Sequence, residues 1–145
     1  MHHASDLLGD VTREPVWIEP LASVFDALHL MNQENIGALL VQIDEYLVGI
    51  VSERDYVRKV ILDHHTSKTT KVSEIMTRDP ITVSPEDTVV HCIALMRKHH
   101  VRHLPVVVQG KAVGIISLRD LFLDVIHEKF EANNIDEDAE IAKLD

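Results

Sequence analysis

The chain has 145 residues, 46% of them hydrophobic but only 4% aromatic, so a core of Ile, Leu and Val is expected, sized for one compact domain or two small dependent lobes. A formal net charge of −10 excludes the concentrated basic face of a nucleic-acid binder. The single cysteine, Cys92, rules out a disulfide within the chain; no apolar run approaches the roughly 18 residues of a membrane span and no signal-peptide pattern opens the sequence, so a cytoplasmic protein is expected.

Residues 1–13 read as a polar lead, in which His2-His3 carry no weight. Val16-Trp17-Ile18 is a short extended segment between Pro15 and Pro20. Ser23 is a candidate N-cap for a helix to about Glu34, with Val24, Ala27, Leu28 and Met31 on one face. Ile36 to Ile43 and Leu47 to Val51 read as strands joined by a turn at Asp44-Glu45, and Ser52 to about Leu62 as a second helix. A polar linker follows, with one helical turn over Val72 to Met76. Then the order recurs: a short strand at Ile81-Thr82-Val83, a helix from Ser84-Pro85-Glu86-Asp87 to near His99, strands over Val101 to Val108 and Ala112 to Ile116, and a helix from Ser117 to about Phe130. The division expected is a lead (1–13), repeat one (14–65), a linker (66–79), repeat two (80–130) and an acidic tail (131–145).

The recurrence has a constant offset. Pro15 returns as Pro80, Pro20 as Pro85, Leu30-Met31 as Leu95-Met96, and Val48-Gly49-Ile50 as Val113-Gly114-Ile115, each 65 residues on. A fixed-period duplication is one supersecondary unit built twice, each copy needing the other to cover its apolar face. Function is then expected where the copies meet and where equivalent positions differ.

The densest match is Ser52-Glu53-Arg54-Asp55 over Ser117-Leu118-Arg119-Asp120. Ser with Asp three residues later at a helix start is a capping box, and that alone would account for both residues. Capping does not require the arginine that both copies keep. A Gly-containing strand before each Ser also lets a ligand come close. In that second reading the carboxylate accepts ribose hydroxyls, while helix-start amides, the Ser hydroxyl and the Arg receive a phosphate.

Together with Asn35-Ile36-Gly37-Ala38-Leu39 and Val101-Arg102-His103-Leu104-Pro105, these corners resemble the CBS domain, named after cystathionine β-synthase, over about residues 10–127. The resemblance implies an α/β (α+β) fold of tandem CBS repeats, each strand-helix-strand-strand-helix, related by a pseudo-twofold axis with two clefts between them. Carried over by position, the first cleft takes Ser52, Arg54, Asp55 and Arg58 with Met76, Thr77, Pro80, Ile81, Val101, Arg102 and His103. The second takes Ser117, Arg119 and Asp120 with Val11, Thr12, Pro15, Val16, Ile36, Gly37 and Ala38. It further implies an adenosine ligand (AMP, ADP, ATP, NAD or S-adenosylmethionine), a homodimer through the helices, and a regulatory module that signals energy or redox state to a separate partner.

Where repeat two has Arg102-His103, repeat one has Gly37-Ala38, so the first cleft is expected to hold polyphosphates or dinucleotides better than the second. No catalytic constellation or catalytic cofactor is read from the chain. His99, His100 and His103 straddle a helix end and a strand, so a metal site is not expected, and Cys92, replacing Ala27, is expected in the core. A nucleotide-hydrolysing enzyme and a non-binding dimerisation scaffold are the competing classes.

Overall fold

The computed structural model of the chain describes residues 2–8 and 14–144. Repeat one holds β1 (Trp17–Ile18), α1 (Val24–Glu34), β2 (Ala38–Ile43), β3 (Tyr46–Ser52) and α2 (Glu53–Tyr56), which continues as a π-helical turn, Val57–Ile61. Between the repeats lie α3 (Val72–Ile75) and β4 (Thr77–Arg78). Repeat two holds α4 (Val89–His99), β5 (His103–Val108), β6 (Lys111–Ser117) and α5 (Leu118–Ala132), followed by α6 (Glu137–Ile141). The sequence order is recovered, with Val83 standing for the short strand of repeat two as a single parallel bridge to Val106.

Equivalent helices start and stop by the same chemistry. Ser23 caps α1 by accepting the Asp26 amide at 3.0 Å, and Thr88 caps α4 through His91 at the same distance. Each then ends on a left-handed residue, Asn35 (φ 55°) or His100 (φ 54°). The buried positions Val24, Ala27 and Met31 recur as Val89, Cys92 and Met96, one helical face in each copy. One expectation is corrected here. Helix α4 does not open at Ser84: the Ser84 amide donates to the Asp87 carboxylate at 2.8 Å in a turn, and Thr88, the counterpart of Ser23, is the cap.

Strands β1, β2, β3 and β4 form one sheet in that order. The pair β1/β2 is parallel, and β2/β3 and β3/β4 are antiparallel. Strand β4 is the piece that precedes repeat two, yet it pairs with β3 of repeat one through Gly49↔Arg78 and Ile50↔Thr77. The second sheet is the β5/β6 hairpin, with the same register as β2/β3 and the same irregularity three residues from its start.

Two apolar cores result. The first gathers Leu39, Val41, Val51, Val60 and α1 with Val72 and Ile75, so the expected linker is a structural part of repeat one. The second gathers Leu104, Val106, Ile116, Leu121 and α4 with Ala4, and Leu7 and Leu8 pack beside it.

The lead therefore has a role that composition did not reveal. Its 3-10 turn, Ala4–Leu7, is bound to repeat two by Ala4 N–H to Asp87 O (2.8 Å), Ser5 N–H to Pro85 O (2.9 Å) and Val89 N–H to His2 O (2.9 Å). The linker makes the same three bonds to repeat one, through Val72 to Ala22, Ser73 to Pro20 and Val24 to Thr70. The matching offset here is 68 rather than 65, so a position-by-position reading at 65 misaligns the lead by three residues.

Candidate functional site

The amide of Ser52 donates to Asp55 Oδ2 at 2.9 Å and Ser52 Oγ lies 3.1 Å from the same oxygen, while the Asp55 amide donates to Ser52 Oγ at 3.3 Å. At the second corner the Ser117 amide donates to Asp120 Oδ2 at 2.8 Å, and the Asp120 amide to Ser117 Oγ at 3.0 Å. Both are full capping boxes, so the structural role of these residues is present. The carboxylates stand at a strand-to-helix corner, and capping occupies one of the two oxygens of each.

The first corner opens on a cavity of about 720 Å³. Ser52, Arg54, Asp55 and Arg58 line it from repeat one, and Thr77, Pro80, Ile81, Val101, Arg102 and His103 from the other side. Ten of the eleven residues expected at the first cleft thus meet in one hollow. The exception is Met76: its sulfur fills the space above Gly49, 2.8 Å from where a Cβ would stand there, and it packs against the first core instead. Gly37, assigned by position to the second cleft, lines this hollow and faces the His103 ring, 3.8 Å from the point a Cβ would occupy.

The hollow also has walls that the motif did not supply: Ile50, Glu53, Lys59, Asp79, His99 and His100. Lys59 was legible as the residue one helical turn after Asp55. The two histidines sit at the C-terminal end of α4, where cationic side chains are favoured by the helix dipole. Four fixed cations (Arg54, Arg58, Lys59, Arg102) face three carboxylates here, an inversion of the chain's overall charge of −10.

His103 is held below its ordinary value of 6.5 chiefly by burial, with Asp120 opposing, Arg102 reinforcing and Asp55 opposing. Both corners thus act on one imidazole, which lies between them. Within each repeat the corner is tied back to the strand-entry loop by the same backbone bond: Glu53 N–H donates to Gly37 O at 3.0 Å and Leu118 N–H to Arg102 O at 2.8 Å.

Of the second set, Val11 and Thr12 lie outside the described residues. Pro15, Val16 and Ile36 are half-buried, and Val16 and Ile36 lie against the first core. Ala38 is only 2% exposed, because its side chain turns to the interior of β2, and it offers almost no surface to a ligand. Leu8 fills the space above Gly114 as Met76 does above Gly49, which follows from the offset of 68 in the lead.

Among the described residues, the metal-capable group is His2, Asp124 and Glu128, and His99, His100 and His103 form no such group. His2 Nδ1 lies 2.6 Å from Asp124 Oδ1 and 3.3 Å from Glu128 Oε1, and the Asp124 hydrogen bond raises its pKa, as an ion pair would. Cys92 is buried and its thiol is pushed up by burial, which keeps it a protonated core residue. No helix among the described residues is long and apolar enough to cross a membrane.

Two strand-helix-strand-strand-helix repeats, each lending its leading segment to the other's sheet or core, define a tandem-repeat α/β module with a ligand-sized cleft between copies. The model of the CBS domain matches residues 4–62 and 72–127, and the chain belongs to that family. It is 40% identical over 121 residues to a mitochondrial CBS domain-containing protein of Arabidopsis thaliana, CBSX3, covering 80% of this chain and 59% of that protein's length. A CBS-domain structure from Burkholderia ambifaria MC40-6, described as a candidate signal-transduction protein, matches at 42% identity and a TM-score of 0.82, covering 86% of this chain and 94% of that one. A CBS domain protein from Pyrobaculum aerophilum, complexed with AMP, matches at 27% identity and a TM-score of 0.74, covering 86% and 98%.

Proposed function

We propose that this chain is a regulatory module that binds an adenosine nucleotide in the cleft lined by Ser52, Asp55 and Arg102. The observation that carries the reading is one hollow joining a corner carboxylate, Asp55, to four cations in a strongly acidic protein. The carboxylate suits a ribose diol, Ile50, Ile81 and Val101 suit a base, and the arginines suit phosphates. The AMP complex of the Pyrobaculum relative supports the ligand class.

With Arg102 on the second repeat and Arg54 and Arg58 on the first, the cleft favours ATP, ADP or NAD over AMP. The second corner, for which repeat one has Gly37-Ala38 at the positions of Arg102-His103, takes a smaller ligand. The module is not an enzyme. It works as a cytoplasmic homodimer whose occupancy is read by a separate protein. The exposed Val57, Phe122 and Val125 on the repeat-ending helices suit that dimer, whereas Leu28 and Leu95 pack against the cores.

The test is calorimetric titration with adenosine, AMP, ATP and NAD. Asp55→Ala is expected to weaken every ligand by about 2–4 kcal/mol, the loss of two charge-assisted hydrogen bonds. Arg102→Ala is expected to weaken ATP and NAD much more than adenosine. Failure of all four ligands to bind the wild-type protein would leave the corners as helix caps and the module as a scaffold.

A further inference from the structure

The two corners share their Ser, Arg and Asp but differ in what stands one helical turn past the Asp. Four residues after Asp55 stands Lys59, and four residues after Asp120 stands Asp124. Lys59 Nζ lies 3.0 Å from Asp55 Oδ1 and donates to the Ile75 carbonyl at 2.8 Å. It sits in the π-helical turn Val57–Ile61, a local departure from α geometry of the kind that often marks functional positions. Asp124 instead points to His2, on the lead.

A count of acceptor sites gives this difference a consequence. A carboxylate oxygen accepts about two hydrogen bonds. Asp55 Oδ2 is occupied by the Ser52 amide and lies in reach of the Ser52 hydroxyl, and Oδ1 is occupied by the Lys59 ammonium. A ribose donates two hydroxyl hydrogens, and one open site on Asp55 does not receive both. We infer that Lys59 is a latch on the ribose-binding carboxylate, which a vicinal diol must displace from Asp55 Oδ1 in order to bind. The inference rests on the nucleotide reading of the same cleft.

Lys59 then sets the threshold of this cleft, and the second corner, with Asp124 in its place, lacks the device. The ammonium is half-exposed and keeps the Ile75 carbonyl as its partner, so displacement has a modest cost.

Adenosine is the probe that isolates this effect, because it carries the diol and no phosphate. Calorimetric titration of the full chain, wild type against Lys59→Met, is expected to show adenosine binding roughly two- to fivefold tighter in the variant, the weight of a half-exposed ion pair. Affinity for 2′-deoxyadenosine, which offers one hydroxyl fewer, is expected to change less. Lys59→Gln is the substitute if the Met variant unfolds, and Lys59→Arg, which restores a cation, is expected to lose the gain. Adenosine binding that is unchanged or weaker in Lys59→Met overturns the latch while leaving the nucleotide reading intact. Adenosine, AMP, ATP and NAD all failing to bind the wild type overturns both.

Discussion

His103 is the residue at which the two repeats meet electrostatically. Its equivalent in repeat one is Ala38, buried and without charge, so this imidazole has no counterpart. Burial holds it below 6.5, so the native state resists the proton that the unfolded chain takes up near that value. Between the two pKa values the unfolded state binds more protons, and stability falls as pH drops below about 6.5, levelling off once the native imidazole also titrates. His2 acts in the opposite sense: its raised value adds stability at low pH that is lost as pH rises through its native pKa. The expected outcome is that urea denaturation of His103→Gln loses less stability than wild type between pH 7.5 and 5.5. Parallel pH profiles for the two proteins would show that His103 titrates in the native state as it does in the unfolded one.

At the scale of the element, the same sequence signal means different things in the two copies. Gly49 and Gly114 are equivalent strand positions, yet their neighbours differ in kind. A Cβ on Gly49 would stand 2.8 Å from Met76 Sδ and 2.9 Å from the Thr77 carbonyl oxygen, whereas one on Gly114 would stand 2.5 Å from a Leu8 methyl. A methyl can swing aside. A backbone carbonyl in the β3/β4 pair cannot without loosening the strand. Gly49→Ala is therefore expected to cost about 1–3 kcal/mol and Gly114→Ala less, read from urea midpoints at constant slope. Equal losses would mean that β4 is free to shift.

These pairs also show what the sequence discloses. The repeat order and the caps at Ser23, Ser52 and Ser117 follow from local pattern and the offset of 65, while the meeting of Asp55 with Arg102 was implied by the family resemblance. The crossing of β4 to the other sheet is written in no local pattern, and residues 77–78 fell within the expected linker. The three-residue slip that puts Leu8 where Met76 has its counterpart was not legible, because the lead's few apolar residues give no periodicity to align. Lys59 on Asp55 was overlooked because an i, i+4 pair on a helix is ordinarily a surface detail.

At the scale of the whole molecule, the two leads are docked alike but held differently. Ala4 is fully buried in the second core and Val72 in the first, each bonded through its amide to the facing repeat. The segment around Val72 is anchored on both sides: α2 precedes it, and Met76 and β4 follow directly, paired to β3. Undocking it would strip β4 from the first sheet. The turn around Ala4 is held to repeat two by its three backbone bonds, the His3↔Thr88 bridge and Leu8 over Gly114, and none of these contacts is a strand pairing with β5 or β6. A buried carboxylate is costly in either place, and the contacts described for the lead can open locally without breaking a strand pairing. Ala4→Glu is accordingly expected to lose about 1–3 kcal/mol and to speed amide exchange of the lead and of Val89, whose donor bond to His2 O goes with it, while the first core stays protected. Val72→Glu is expected to exceed about 4 kcal/mol and to lower protection across both sheets, since β3 also abuts β6. Hydrogen exchange with mass readout separates the two outcomes. Global loss of protection in Ala4→Glu would mean that the lead is as integral to the fold as the linker, and that the two halves of the module unfold only together.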